Sequence, residues 1–297
     1  LTKDGIFCAI PIEEAGLGMI VNVAVLEEAG VEELPQTWTQ LLDACESIKA
    51  NGKTPFIMGN KTGWSGAIFM NYGKTTEFKD YDDDIYQKLL DQETTMSDVY
   101  LKYFEKYAEL EKLGYTNGKD SLGMEFNEGA VAEFAKGESA FLIAGTWMIQ
   151  ETAQALEGME TVFMPIPVQD EEPLTAQCNL STALAVNKDA EQKELAIKFL
   201  QFWSDDNNLK LYVESQNAFS PLVGGTSMSV PQAQPFAEAI AANHVTVGSM
   251  VPTDFTVDEW TFITQAAQFL TLGDKTPEQL GEEFNKEFDK AMMLKAE

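Results

Sequence analysis

The chain contains no arginine. Its twenty basic residues are all lysine and face 48 acidic ones, giving a net charge of −28 over 297 residues. A field of that sign repels phosphate backbones and anionic lipid surfaces, which excludes nucleic acid as a partner. Without the guanidinium fork there is no planar, two-bond grip on a carboxylate or phosphate, and lysine offers only a point charge. The favoured small ligand is therefore neutral or cationic. Histidine is nearly absent too. His244 stands alone, too few for a triad or a histidine-based metal site, and is expected at the surface or at a helix end. The three cysteines, Cys8, Cys45 and Cys178, are far apart and odd in number, so no disulfide framework or zinc site is implied and buried thiols are expected. No apolar run reaches the length of a membrane span, and the opening residues lack the basic start and apolar stretch of a signal peptide. The expectation is a soluble chain, already processed or cut.

Catalytic templates are missing as well. There is no G-x-S-x-G elbow, no P-loop and no H-E-x-x-H. The acidic run Asp80, Asp82, Asp83 and Asp84 has the flavour of a calcium loop, but Ile85 stands where the sharp turn needs glycine, so a solvated acidic face is expected. Neither a metal nor a cofactor is expected. A glycoside hydrolase would use two carboxylates, and no pair here is fixed by a motif.

What is present is an apolar fraction of 44%, enough for a full-sized core in two domains or one large one. Ile6 to Ile12 and Gly18 to Val25 read as two strands, with a helix stop at Gly30. Trp38, Leu41, Leu42, Cys45 and Ile48 share one helical face. Pro55 to Met58 reads as a short strand. Further helical stripes are Tyr103, Tyr107, Leu110 and Leu113, then Ala130, Val131, Phe134 and Ala135, followed by a strand from Ala140 to Ala144. The prolines in Thr161 to Val168 suggest an interdomain connection. Leu180 to Val186 reads as a strand and Lys188-Asp189 as the start of a helix bearing Ala196, Phe199, Leu200 and Trp203. Two amphipathic helices, around Val257 to Leu270 and Leu280 to Met292, close the chain. Strands separated by helices argue for α/β layers.

Two tryptophans stand where strands meet helices. Trp64 follows Gly59-Asn60-Lys61-Thr62-Gly63, and Trp147 follows Ala144-Gly145-Thr146. Sugar rings present apolar C–H faces to indoles and hydroxyls to carboxylates and amides, so these positions suit carbohydrate as well as ordinary packing. Gly145 allows close approach, and the helix opening there offers free N–H groups. Trp38 and Trp203 fall on amphipathic stripes and read as core. Trp260 fits its helix's apolar face and stays ambiguous.

Gly5-Ile6-Phe7-Cys8-Ala9-Ile10-Pro11-Ile12, Gly18-Met19-Ile20-Val21-Asn22, Pro35-Gln36-Thr37-Trp38, Gly137-Glu138-Ser139-Ala140-Phe141, Gly145-Thr146-Trp147 and Leu184-Ala185-Val186-Asn187-Lys188 occur in one order. That order resembles the extracellular solute-binding proteins of the sugar type, across nearly the whole chain. The resemblance implies a two-lobed periplasmic-binding-protein-like α/β fold of type II. It implies a sugar or oligosaccharide in the cleft, no catalysis, and delivery to the membrane permease of an ABC importer. It further implies an extracellular location, as a cell-surface lipoprotein or in the periplasm. Carried over by position, Trp147 resembles the stacking aromatic, Glu13 or Glu14 a carboxylate accepting hydroxyl hydrogen bonds, Trp64 and Trp260 further platforms, and Asn179 a residue across the hinge. Met19 to Val21 replaces a customary aromatic, so that wall is expected to be more apolar. The implied layout is a hinge strand at 1–12, a C-terminal lobe at 13–165, a remnant of the N-terminal lobe at 166–222, and C-terminal helices at 223–297 returning to the first lobe. Roughly a hundred residues of N-terminal lobe, about a small domain's worth, would then be absent. Self-association of the uncovered remnant is expected.

Overall fold

The computed structural model describes residues 2–3, 6–78, 85–156, 158–171, 173–222, 230–247 and 257–296. Its organising element is β1 (Ile10–Asn22), a 13-residue strand that at ~3.3 Å per residue reaches about 40 Å. From Leu17 to Val21 it pairs antiparallel with β3 (Ser139–Gly145), which continues in parallel to β2 (Thr54–Ile57). Its other edge is shared. Ile10 to Leu17 pairs with β5 (Ala176–Leu184), and Met19 to Asn22 with β4 (Thr161–Met164). β6 (Val245–Val247) extends β5 in parallel.

Met19, Ile20 and Val21 are all buried, the continuous apolar run expected of a strand covered on both faces. One face carries the larger core, built with α1 (Trp38–Ala50), α2 (Trp64–Glu77), α3 (Met96–Leu113), α7 (Glu259–Leu272) and α8 (Pro277–Ala296). In α3, Tyr100, Tyr103, Phe104 and Tyr107 recur at i, i+3, i+4 and i+7, and all four are fully buried. A second core on the opposite face gathers Ile20, Phe134, Leu142, Met148, Phe163 and Phe236, the last from α6 (Gln234–Ala241). A third, small one holds Ile12 with Leu209 and Val213 of α5 (Asp206–Ser215).

A buried ion pair ties the larger core together. Lys74 Nζ lies 2.7 Å from Glu259 Oε1, and Tyr86 Oη donates to Oε2 at 2.8 Å. Tyr100 Oη donates to Oε1 as well. These contacts join α2, α3 and the helix Ile85–Leu90 to the first turn of α7.

Several sequence expectations are corrected. Of the strands expected at Ile6 to Ile12 and Gly18 to Val25, Ile6–Phe7 pairs separately with Thr2–Lys3, and the rest is one continuous strand from Ile10 to Asn22 in which Glu13 is buried and accepts from Thr182 Oγ1 at 2.8 Å. The chain turns helical at Val23–Glu28. Thr161 to Met164 is a sheet strand, and of the segment expected as a connection only Pro165 to Val168 lies outside strand and helix. The strand's pairing is complete before Pro165, so the missing N–H costs the ladder nothing. β5 begins at Ala176, ahead of the expected Leu180. α4 (Lys193–Trp203) starts later than Lys188, after a turn in which Asp189 N donates to Asn187 Oδ1 at 3.0 Å. Trp203 is half-buried and Phe199 is 51% exposed. Cys45 and Cys178 are buried but Cys8 is exposed. His244 sits half-buried just after α6, its N–H donating to Ala239 O. The acidic run from Asp80 to Asp84 lies outside the described residues. Among those described, no helix is long and apolar enough to cross a membrane, and no group of His, Cys, Asp or Glu is arranged to hold a metal ion.

Candidate functional site

Trp64 is the first residue of α2, and its position is set by Gly63, whose φ of 74° lies in the left-handed region. A side chain there would also meet Thr264 O of α7 at 2.0 Å, so glycine is required twice over. The preceding loop is pinned from both sides. Buried Asn60 donates to Tyr107 Oη at 2.7 Å and accepts from Gly66 N at 3.1 Å, while Gln268 Nε2 donates to Lys61 O at 2.8 Å. Burial holds the Tyr107 hydroxyl well above its ordinary pKa, so it stays protonated. Asn60 N donates to Ser121 O and Lys61 N to Met124 O, fastening this loop to the segment that ends at Glu125.

That segment enters a π-helix, Phe126–Val131, in which the N–H groups of Gly129 and Ala130 both reach Glu125 O. Single π turns are frequent at functional sites. Phe126 packs on Trp64 with centroids 4.4 Å apart and planes tilted 46°. Trp147, in the short 3₁₀ turn after β3, meets Trp64 edge to face at 6.4 Å and 66°. Together they form a corner at the end of a groove of about 510 Å³ lined by Thr62, Trp64, Glu125, Phe126, Asn127, Glu128 and Trp147. Trp147 remains 38% exposed. Lys61 Nζ is 2.9 Å from Glu125 Oε1, so that cation is already engaged.

Gly145 plays a different part from the one its spacing suggests. A Cβ added there would lie 2.0 Å from Trp147, so the space above Gly145 is filled by the indole itself rather than held open for a ligand.

The other candidates lie elsewhere. Glu13 is buried against β5 and α5, with Oε2 lacking a hydrogen-bond partner among the described residues. Glu14 is partly buried, and burial raises its carboxyl above the ordinary range. Burial, then the charge of Glu14, pushes the Cys178 thiol up to about 12. Asn179 pairs with Ala15 in the sheet and accepts from Gln177 at 3.3 Å. Trp260 is 43% exposed on α7 and does not line the groove. The structure thus joins Trp64 and Trp147 and leaves Glu13, Glu14, Asn179 and Trp260 outside their groove. It adds Glu125, Phe126, Asn127 and Glu128, whose sequence signal is an aromatic, an amide and two acids directly before Gly129 and a helical stripe.

The family model for bacterial extracellular solute-binding proteins matches residues 1–208. An uncharacterised ABC transporter extracellular-binding protein of Pyrococcus horikoshii is 29% identical over 148 residues, 48% of this chain; the match spans 31% of that relative. Among solved structures, a sugar transporter protein of Bacillus licheniformis in complex with stachyose aligns at a TM-score of 0.76 and 20% identity, over 98% of this chain and 75% of that one. A chitin oligosaccharide binding protein aligns at 0.79 and 20%, over 98% and 73%. A manno-oligosaccharide specific solute binding protein of Bifidobacterium animalis subsp. lactis, with mannotriose, aligns at 0.75 and 18%, over 99% and 72%. These likenesses show the mixed α/β fold of the two-lobed solute-binding proteins. With the family model spanning well over half of the sequence, the chain belongs to the bacterial extracellular solute-binding proteins.

Proposed function

We propose that the protein binds a sugar or oligosaccharide outside the cell and passes it to the membrane permease of an ATP-driven importer, with no reaction of its own. The observation that carries this reading is the aromatic corner of Trp64, Phe126 and Trp147 beside the carboxylates of Glu125 and Glu128 and the amide of Asn127. Indole faces take up the apolar C–H faces of a sugar ring, and the carboxylates and amide accept its hydroxyl protons. The sugar-binding descriptions of the structural neighbours support the same reading. Thermal melts against a panel of oligosaccharides, neutral and amine-bearing, test it. A true ligand at 100 times its Kd stabilises by about 2.7 kcal/mol and is recovered intact by chromatography. A panel in which no carbohydrate raises the melting temperature, or in which the best one is cut, overturns it.

A second part of the proposal concerns assembly. We read the start of β1, up to Ile12, as the hinge strand between two bodies, with α4 and α5 belonging to the second. α4 buries none of its residues, and Leu195, Ile197, Phe199 and Phe202 are each at least 41% exposed, as is Leu211 of α5. Exposed apolar faces of this kind drive association. Leu195, Phe199 and Phe202, at i, i+4 and i+7, form a stripe that can pair with the same stripe of a second copy. Sedimentation is expected to show concentration-dependent assembly that Phe199→Glu with Phe202→Glu abolishes. A strictly monomeric parent chain would refute it.

A further inference from the structure

The corner of Trp64 and Trp147 has a sign as well as a shape. Its polar lining offers Glu125, Glu128, Asn127 and Thr62, of which only the amide and the hydroxyl can donate. The nearby cation, Lys61, is spent on Glu125 at 2.9 Å, and the chain has no arginine to supply another. The faces of two indoles and a phenyl ring add negative quadrupoles to the same space. Acceptors therefore outnumber donors, and no free cation among the described residues of the lining could meet an anionic sugar. A hydroxyl brings one proton to such a wall. A protonated amine brings three and a full charge, which both the carboxylates and the indole faces attract.

We propose that the groove selects, among sugars, oligosaccharides that carry a free, protonated amine, and that it disfavours uronic and phosphorylated ones. This rests on the sugar-binding reading above and adds the charge of the preferred ligand. Glu128 is the positioning group for the ammonium, since Lys61 bonds directly to Glu125 and reaches Glu128 only through its charge.

The test compares three matched trisaccharides by calorimetry at low salt: a glucosamine trimer, the neutral glucose trimer of the same linkage, and a uronate trimer. At pH 6 the amine form is expected to bind on the order of tenfold more tightly than the neutral one, which is 1.4 kcal/mol, with the uronate weakest. The preference should shrink at pH 9, where the amine has lost its proton, and in 0.5 M salt. In Glu128→Gln the ratio of amine to neutral affinity should fall toward one, and this ratio is insensitive to any general weakening of the site. Equal affinity for the amine and neutral trimers, or a preference for the uronate, overturns the charge selection while leaving sugar binding intact. Binding of none of the three, nor of any sugar in the panel, overturns the sugar-binding reading and this inference with it.

Discussion

Replacing Glu259 by Leu is expected to cost about 3 to 5 kcal/mol, the usual effect of removing one partner of a buried ion pair, and to lower the melting temperature by on the order of 10 °C. The carboxylate lies in the larger core, and its loss leaves the Lys74 ammonium and the hydroxyls of Tyr86 and Tyr100 buried without their shared acceptor. Lys74→Met should cost a similar amount by stranding the carboxylate. The double variant should recover much of either loss, because a buried pair replaced by apolar groups is often close to neutral. Additive losses in the double-mutant cycle would show that the pair is not coupled. The pH dependence has a definite sign. Burial alone raises the Glu259 pKa, but the Lys74 charge and the hydrogen bonds from Lys74, Tyr100 and Tyr86 outweigh it, and the folded value lies below the ordinary one. A carboxyl lowered on folding stabilises above its unfolded pKa of about 4.3, and that stability is lost as pH falls through the folded value. Acid melts of the double variant should therefore fall less steeply than those of the parent chain.

How much of this was legible in sequence depends on whether the signal was local. The stripe from Trp38 to Ile48 announces α1, because five apolar residues at helical spacing need only a helix and something to pack on. Trp64 and Trp147 could be picked out at strand-to-helix junctions, since Gly63 and Gly145 mark both. That they meet at 6.4 Å depends on β3 running beside β2, which no local pattern states. The same holds for Glu13. Its pairing with Thr182 is set by a sheet register over more than 160 residues of chain, so a carboxylate that looks available in sequence is spent inside the fold. β4 was hidden by Pro165 and Pro167, which argue against a strand unless it ends in front of them, as it does. The π-helix is legible only in part. Phe126 through Gly129 look like an ordinary helix entry, and the extra residue in the turn follows from the Glu125 carbonyl accepting from both Gly129 and Ala130.

The groove itself is tested most sharply by separating Trp147 from Trp38. If Trp147 stacks on a sugar face, Trp147→Ala removes roughly 2 to 3 kcal/mol of apolar contact, which corresponds to about 30- to 100-fold weaker binding. Its indole is 38% exposed, so stability should change little. Trp38 is the contrasting case. It is buried, packs against Phe69 at 5.9 Å, and carries Lys106 Nζ 4.1 Å above its ring. Trp38→Ala should cost about 3 to 5 kcal/mol through the cavity it leaves, with ligand affinity intact in the molecules that remain folded. Gly145→Ala supplies an independent arm. Its backbone, at φ −109° and ψ 172°, accepts any L residue, so the added methyl is tolerated locally. That methyl would nonetheless lie 2.0 Å from the Trp147 ring and must push the indole aside. Gly145→Ala should therefore weaken sugar binding in the same direction as Trp147→Ala while leaving every groove side chain chemically present. Loss of affinity in the tryptophan variant with none in the alanine variant would mean that the indole can move without consequence. Unchanged affinity in both would remove Trp147 from the site.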